Sequence, residues 1–388
     1  MPAGAENLPH PSRYMLPPLL MEPDPVRHMA ELIDTEPPVR LSRPLIAGWL
    51  MTSRCQLECR HCCVTRDTAE ADPAERAVIA QRLAESGVCR VALSGGEVTL
   101  LPDLTDSVHI LKAGGIPVSI YTNGVGIESM AWPRSWDHDL DYVQVSIDGG
   151  SPETYEAQRG RGTFRQLEEG LTFLRHKKVR VVAHYVASPW NGSDLRSAAW
   201  LAARYGCEAF VAEMYIAAGR AANQGRSVMA AVARDFLRAA EDLLGDETIM
   251  TGPMSIHIAM PPVVPFPEWY AGPLRGLDGP LQTRVVYGTT HCFVLPNGDL
   301  VPTPAVGDDP TFYSGSLLNR DLLSLWRDGE GFSRFPKARN LRGTLCEGCP
   351  DLVPCGGGCD KRALALMGTL DTHDPWCHRS PVDASVKP

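Results

Sequence analysis

The chain has 388 residues, 44% of them hydrophobic and 21% charged, with a formal net charge of −9; that balance suits a globular protein of two or three domains. An acidic chain without a long Lys or Arg run is not built for nucleic acid, and no apolar run approaches the ~20 residues that span a bilayer. Twelve cysteines, behind an N-terminus (Met1 to Asn7) without the basic-then-apolar order of a signal peptide, read as metal or cluster ligands in a reducing cytoplasm, not as disulfides.

Residues 1–44 are expected to form an irregular N-terminal arm. Pro9, Pro11, Pro17, Pro18, Pro23, Pro25, Pro37 and Pro38 break any long helix, and only Val26 to Ile33 has room for a short one. From residue 45 to 249, strand-like apolar runs alternate with amphipathic helical ones. Strands are predicted over residues 45–51, 90–94, 116–121, 142–147, 179–186 and 208–215. Asp72, Pro73 and Glu75 supply an N-cap, a first-turn proline and a capping-box acid, and Gly87 closes that helix. Leu104, Val108 and Leu111 share one face of the next helix, which stops at Gly114-Gly115. Thr163 and Gln166 are predicted to form a capping box ahead of Phe164, Leu167, Leu171 and Leu174. Strands alternating with helices give a parallel sheet with right-handed crossovers. Six such units predict an α/β fold, a partial (β/α)6 TIM-like barrel.

In such a barrel the chemistry belongs at the C-terminal ends of the strands. Cys55, Cys59 and Cys62 follow the first strand at a C-x3-C-x2-C spacing. Thiolates are soft ligands suited to iron–sulfur clusters or zinc. Three in one loop can hold three corners of a [4Fe-4S] cube and leave the fourth iron open. A zinc loop or a set of packed cysteines stays open on spacing alone. Ser94-Gly95-Gly96-Glu97 follows the second strand, Thr122-Asn123-Gly124 the third, and Ser146-Ile147-Asp148-Gly149 the fourth. Four polar or cysteine-bearing turns at one rim make that rim the candidate site.

Residues 250–287 dissolve into prolines (Pro253, Pro261, Pro262, Pro265, Pro267, Pro273, Pro280) and are expected to be a loop-rich connection. Residues 288–388 hold a second cysteine set, Cys346-x2-Cys349-x5-Cys355-x3-Cys359 and then Cys377, after His291-Cys292. Asn297-Gly298 between them is a hairpin turn signal. Structural zinc fits this spacing too. Cys63, Cys89 and Cys207 fit no motif and read as buried thiols.

The first cysteine loop resembles the C-x3-C-x-aromatic-C motif of the radical S-adenosylmethionine (SAM) enzymes, with His61 at the aromatic position. The resemblance implies that the open iron binds the amino and carboxylate groups of SAM. Gly95-Gly96-Glu97 resembles the Gly-Gly-Glu-Pro motif that meets the SAM amino group, with Val98 in place of proline; Glu97 would accept from the ammonium. It further implies ribose contacts from Thr122, Asn123, Ser146 and Asp148, a SAM-carboxylate contact from Arg159, which on its residue type alone reads equally as a solvated loop arginine, and adenine contacts from Glu213 to Ile216. The C-terminal cysteines resemble a SPASM domain. That implies one auxiliary [4Fe-4S] cluster on Cys346, Cys349, Cys355 and Cys377. A second auxiliary site would keep only Cys292 and Cys359, because Thr303 stands where the family has a cysteine. His291, Asp308, Asp309 or Asp360 would substitute, or an iron is left open for substrate, or that cluster is lost. Barrel and SPASM-like region together cover roughly four-fifths of the chain.

The resemblance implies an enzyme that cleaves SAM reductively and abstracts a hydrogen atom from an unactivated C–H. The expected substrate is a ribosomal peptide or related natural product; the alternative is dehydrogenation or epimerisation of a sugar or aminocyclitol. An electron donor of the reductase or flavodoxin type is expected. The 44 residues ahead of the barrel are too few for a fused peptide-recognition domain, so a separate leader-peptide-binding protein is expected for a peptide substrate. A non-catalytic electron carrier is the contrasting class, and it would have no use for the Gly95-Gly96-Glu97 turn.

Overall fold

The computed structural model describes residues 42–64, 69–191, 194–216, 218–221, 226–258, 288, 290–306, 309–333, 340–349, 352, 357–358, 360–375 and 377. The predicted arm helix at Val26 to Ile33, most of the Pro-rich connection, Asp308, Cys355 and Cys359 lie outside these residues.

Among the described residues nine strands form one sheet: β1 (Ile46–Thr52), β2 (Arg90–Gly95), β3 (Val118–Thr122), β4 (Leu140–Ser146), β5 (Val181–Ala187), β6 (Ala209–Met214), β7 (Ser255–Ile258), β8 (His291–Val294) and β9 (Leu300–Val301). Their spatial order is β7-β6-β5-β4-β3-β2-β1-β8-β9. Every pairing from β7 to β8 is parallel, and only β8 with β9 is antiparallel. Among the described residues β7 and β9 are the two edge strands.

The main helices are α1 (Pro73–Ala84), α2 (Leu104–Ala113), α3 (Pro152–Arg159), α4 (Thr163–His176), α5 (Leu195–Arg204), α6 (Arg226–Leu244), α7 (Leu322–Asp328) and α8 (Asp360–Met367). None among the described residues is long and apolar enough to cross a membrane. One face of the sheet and the helices share the main core. Trp49, Val91, Val118, Ile120, Val143 and Val145 meet Ile79, Leu83, Val108, Leu111, Leu167 and Leu171 there. The period-2 pattern of the strands and the 3.6 period of the helices supply those two surfaces. The opposite sheet face carries a smaller cluster of Tyr142, Val182 and Ala209, with Tyr121 and Val211 against it. Arg76 and Asp103 tie α1 to the start of α2 through a buried two-point ion pair, Nε to Oδ2 at 2.6 Å and Nη2 to Oδ1 at 2.7 Å.

The first six strands lie within a residue or two of their predicted places, and the Asp72/Glu75 capping box forms as read. Three features depart. The Pro-rich connection opens with a strand, β7, whose four residues are too short to announce themselves by alternation. The Asn297-Gly298 hairpin forms, but its first strand also pairs in parallel with β1, Ala47 opposite Cys292 and Gly48 opposite Phe293. Gly48 makes room for that neighbour, since a Cβ there would come within 2.5 Å of the Phe293 ring. The third departure is the capping box at Thr163 and Gln166, which does not form. Gly162 is the N-cap residue; Thr163 is the first residue of α4 and donates to the Gly160 carbonyl at 2.6 Å. Gln166 donates to the Gly162 carbonyl instead.

Candidate functional site

β1 delivers Thr52-Ser53-Arg54 to the C-terminal rim, and this tripeptide is the root of the cysteine loop. It is gripped from two sides. Glu70 Oε1 accepts from Thr52 Oγ1 at 2.9 Å, the Ser53 amide at 2.7 Å and Ser53 Oγ at 2.8 Å, while Oε2 accepts from Arg54 Nε at 3.2 Å. On the other side the Gly96 amide donates to the Thr52 carbonyl at 2.6 Å and the Glu97 amide to the Arg54 carbonyl at 2.8 Å. Gly95 takes φ 142. A Cβ on Gly95 would lie 2.3 Å from the Thr52 carbonyl oxygen, and one on Gly96 2.2 Å from that of Arg54. The close approach these glycines permit is to the root of the cysteine loop.

Cys55, Cys59 and Cys62 pack together with Leu57 and Val125. Cys59 is buried and the other two are half-buried. Burial pushes the Cys59 thiol up, and Arg159 opposes that rise. Burial pushes Cys55 up as well, against a hydrogen bond from the Leu57 amide. A bound metal cation would reverse this and hold the sulfurs as thiolates. Three soft donors in one half-dry loop fit a [4Fe-4S] cluster.

Glu97 is 1% exposed. Its Oε1 accepts from the Thr99 amide (3.2 Å), Thr99 Oγ1 (2.8 Å) and Thr122 Oγ1 (2.8 Å), and its Oε2 from the Asn123 amide (2.8 Å). Burial pushes this carboxyl up against those four bonds. Glu97 thus joins the turn after β2 to the turn after β3. Asn123 carries the link onward. Its Nδ2 lies 3.7 Å from Cys55 Sγ and 3.4 Å from Gln56 Oε1, and its Oδ1 accepts from the Val125 amide at 2.8 Å. Gln56 Nε2 donates to the Val125 carbonyl at 2.9 Å. Thr122 Oγ1, besides donating to Glu97, accepts from the Gly124 amide.

Asp148, just past β4, is fully buried. Arg159 Nε donates to its Oδ2 at 2.5 Å and the Val186 amide to its Oδ1 at 2.8 Å. Burial by itself raises this carboxyl; Arg159 and the Val186 amide outweigh it and hold it below the usual carboxylate range. Arg159 is the last residue of α3 and is also buried, so it is not a solvated loop arginine. Its Nη1 lies 3.8 Å from Cys59 Sγ. Burial opposes its charge, but Asp148 and Cys59 raise its affinity for the proton above the ordinary arginine value. His61 Nε2 lies 3.6 Å from Asp148 Oδ2, and its Nδ1 is buried without a hydrogen-bond partner. Burial lowers that imidazole to about 3, so it is neutral near pH 7.

Ser146 ends β4 half-buried, paired in register with His184 on β5. His184 Nε2 is 3.3 Å from Glu213 Oε1 at the end of β6. The chain then returns to the cysteine loop, where the Arg220 amide donates to the Cys62 carbonyl at 3.0 Å. The structure gathers the cysteine loop with Glu97, Asn123, Asp148 and Arg159 and commits their polar atoms to one another. Glu70, Gln56 and Asn191 were missed. Asn191 Nδ2 donates to the Asp148 and Val186 carbonyls. Of the three, only Gln56 carries a local signal, its place between two of the cysteines.

In the C-terminal region Cys346 and Cys377 are buried and Cys349 is half-buried. The Cys349 amide donates to the Cys346 carbonyl at 3.1 Å. Cys377 is tethered to Gly357 through Asp374, because its amide donates to the Asp374 carbonyl and the Asp374 amide to that of Gly357. Cys292 lies in the main core, its Sγ 3.9 Å from the Ile46 carbonyl oxygen, and burial pushes its thiol up. Thr303 is fully buried. Asp309 caps Thr311, and His291 Nδ1 lies 2.7 Å from Thr290 Oγ1.

Residues 49–201 match the model of the Radical SAM superfamily. The chain is 27% identical over 345 residues to mycofactocin maturase MftC of Mycobacterium ulcerans, covering 87% of this chain and 88% of that protein. It is 27% identical over 354 residues to the PqqA peptide cyclase of Xanthomonas campestris pv. campestris strain 8004, covering 89% of each. The structure of Streptococcus suis SuiB bound to precursor peptide SuiA shares the fold, with a TM-score of 0.64 at 16% identity over 86% of this chain and 76% of that one.

Proposed function

From the premise that this chain, with its radical SAM domain, is a radical SAM enzyme, we propose that it modifies a ribosomally made precursor peptide. Cys55, Cys59 and Cys62 would hold a [4Fe-4S] cluster, and SAM would bind beside it. Together these groups supply reductive cleavage of SAM and abstraction of a hydrogen atom from an unactivated C–H of the substrate. The chain's own residues set the geometry. Glu70 and the Gly95–Glu97 turn hold the root of the cysteine loop, Asn123 and Gln56 hold its Cys55 side, and Arg159 supplies a fixed positive charge at Cys59. Cys346, Cys349, Cys355 and Cys377 would carry an auxiliary [4Fe-4S] cluster in a C-terminal domain spanning 288–388. An electron donor of the reductase or flavodoxin type in the cytoplasm, and a separate leader-binding protein, complete the reading.

The observation that carries the chemistry is the cysteine loop clasped at the C-terminal rim of a parallel sheet by the turns after β2 and β3 and by α3. The peptide substrate rests on the maturase and peptide cyclase that resemble this chain along most of its length. The test is anaerobic. Reconstituted protein with SAM and dithionite should release 5′-deoxyadenosine, and a short peptide encoded beside its gene should change mass in the same assay. No 5′-deoxyadenosine from a protein with a full iron complement refutes the chemistry. Turnover of a sugar but not of the peptide refutes the substrate.

A further inference from the structure

We infer that Glu70 and Ala71 form a joint through which the C-terminal hairpin sets the first cysteine loop, with Glu70 as a positioning residue for that loop. This rests on the radical SAM reading above and deepens it. Glu70 belongs to neither cysteine set and fits none of the motifs. Yet its carboxylate collects four donors from three consecutive residues, Thr52, Ser53 and Arg54. Those residues lie 16 to 18 positions earlier in the chain. Cys55, Cys59 and Cys62 all fall between the two ends, so this carboxylate closes the loop that carries them. Closing a flexible loop costs entropy, and here the protein closes it with its own bonds. Thr52 and Ser53 are buried, so removing the carboxylate leaves their donors unsatisfied.

Glu70 is anchored in turn by the residue that follows it. The Ala71 amide donates to the Pro296 carbonyl at 2.8 Å. The Ala71 carbonyl accepts from Arg76 Nη1, on a guanidinium that the buried pair with Asp103 holds in place. Pro296 stands in the turn between β8 and β9. That turn is closed by the Leu295 amide donating to the Asp299 carbonyl at 2.8 Å and the Gly298 amide to that of Leu295 at 2.9 Å. It also lies against α1, since a Cβ on Gly298 would come within 3.3 Å of Ile79 Cδ1. The route from hairpin to cysteine loop is therefore short: Pro296 carbonyl, Ala71 amide, Glu70 carboxylate, Ser53 amide. A second route runs through the direct pairing of β8 with β1, and the experiment separates the two.

Wild type, Glu70→Ala, Glu70→Gln, Gly298→Ala and the Glu70→Ala/Gly298→Ala double variant are compared. Hydrogen exchange at the Ser53 amide is measured in the apo proteins. Iron release to EDTA, and the EPR signal of the reduced protein with and without SAM, are measured after anaerobic reconstitution. Glu70→Ala should speed Ser53 exchange about tenfold or more, while the β5 amides keep their wild-type protection. It should also release iron roughly tenfold faster and alter the SAM-responsive EPR signal. Glu70→Gln keeps a carbonyl acceptor for Ser53 and should stay within about threefold of wild type. Gly298 takes φ 86, so alanine strains the hairpin turn without touching the root of the cysteine loop. It should speed Ser53 exchange about threefold in the wild-type background and add nothing to Glu70→Ala. Asn297→Ala, which loses the bond from the Asp299 amide, takes its place if that chain does not fold. Wild-type exchange and iron release in Glu70→Ala overturn the inference. So does a Glu70→Gln as impaired as Glu70→Ala, because charge and not loop closure would then matter. A hairpin variant that is silent in the wild-type background, or equally strong in both, removes the joint: the hairpin would act through β1 or not at all. A wild type that takes up no cube overturns the functional reading and the positioning role with it, while exchange in the apo protein still decides whether the joint exists.

Discussion

Replacing Glu97 with alanine tests whether this side chain is a ligand contact or a structural hub. The sequence alone makes it an acceptor for an ammonium, so its loss should weaken SAM binding and spare the iron. In the structure it accepts four hydrogen bonds, from two groups of Thr99, the Thr122 hydroxyl and the Asn123 amide. The last two of these bonds are buried. Leaving a buried donor unsatisfied costs ~1–3 kcal/mol, so two of them put the cost at roughly 2–6 kcal/mol. The damage should spread along the chain of contacts. Asn123 loses its backbone anchor, and its hold on Cys55 and Gln56 loosens. Glu97→Ala protein should therefore unfold at lower urea concentration without any cofactor, and should retain less iron after reconstitution. Glu97→Gln keeps one carbonyl acceptor and should fall between. The measurements are urea titration of the apo protein, iron per chain, and SAM calorimetry. An apo Glu97→Ala as stable as wild type, with full iron and weaker SAM binding, would refute the hub and restore the ligand contact.

Cys59→Ala leaves two thiolates in the loop and should abolish both the cube and 5′-deoxyadenosine release; wild-type yield from that variant would sink the cluster assignment. Arg76→Ala strands Asp103 in a buried site, a loss of about 3–5 kcal/mol, read as a lower midpoint in urea. Asp103 also predicts the pH dependence. Burial by itself raises its carboxyl, but Arg76 lowers it below the ordinary value. A depressed folded value means stability present above the unfolded carboxylate range and lost as pH falls through the folded value. Asp103→Asn should therefore flatten the acid limb of the stability curve, and an unchanged limb would contradict this. Reconstituted wild type should carry about eight irons, as two four-iron cubes. Cys292→Ala should keep that number and lose stability only, since this thiol packs in the main core; a loss of four irons would show a third cube built on Cys292.

Much of the molecule was legible because its signals are local. Strand and helix periods, the Asp72/Glu75 box and the Asn297-Gly298 turn are each written within a few consecutive residues. So is the C-x3-C-x2-C spacing, which one tight loop contains whole. The rim followed from these, because alternation sets a parallel sheet and a parallel sheet puts its turns on one side. Long-range partners were not legible. No pattern near residue 292 says that β8 will pair with β1, some 246 residues away. Gly95 and Gly96 announce a close approach but not whose backbone approaches; tertiary structure made it the root of the cysteine loop. Glu97, Asp148 and Arg159 advertise charge, and charge near a predicted cofactor reads as a contact. Whether a carboxylate meets a ligand or is saturated by protein depends on which strand end and which helix end come together. Asp148 and Arg159 are 11 residues apart in sequence, and they meet only because α3 folds back so that its C-terminus reaches the end of β4. The sequence by itself determined which chemical groups stand at the rim. The tertiary structure decided which of them are free to act, because burial and hydrogen bonding are properties of packed neighbours and not of spacing.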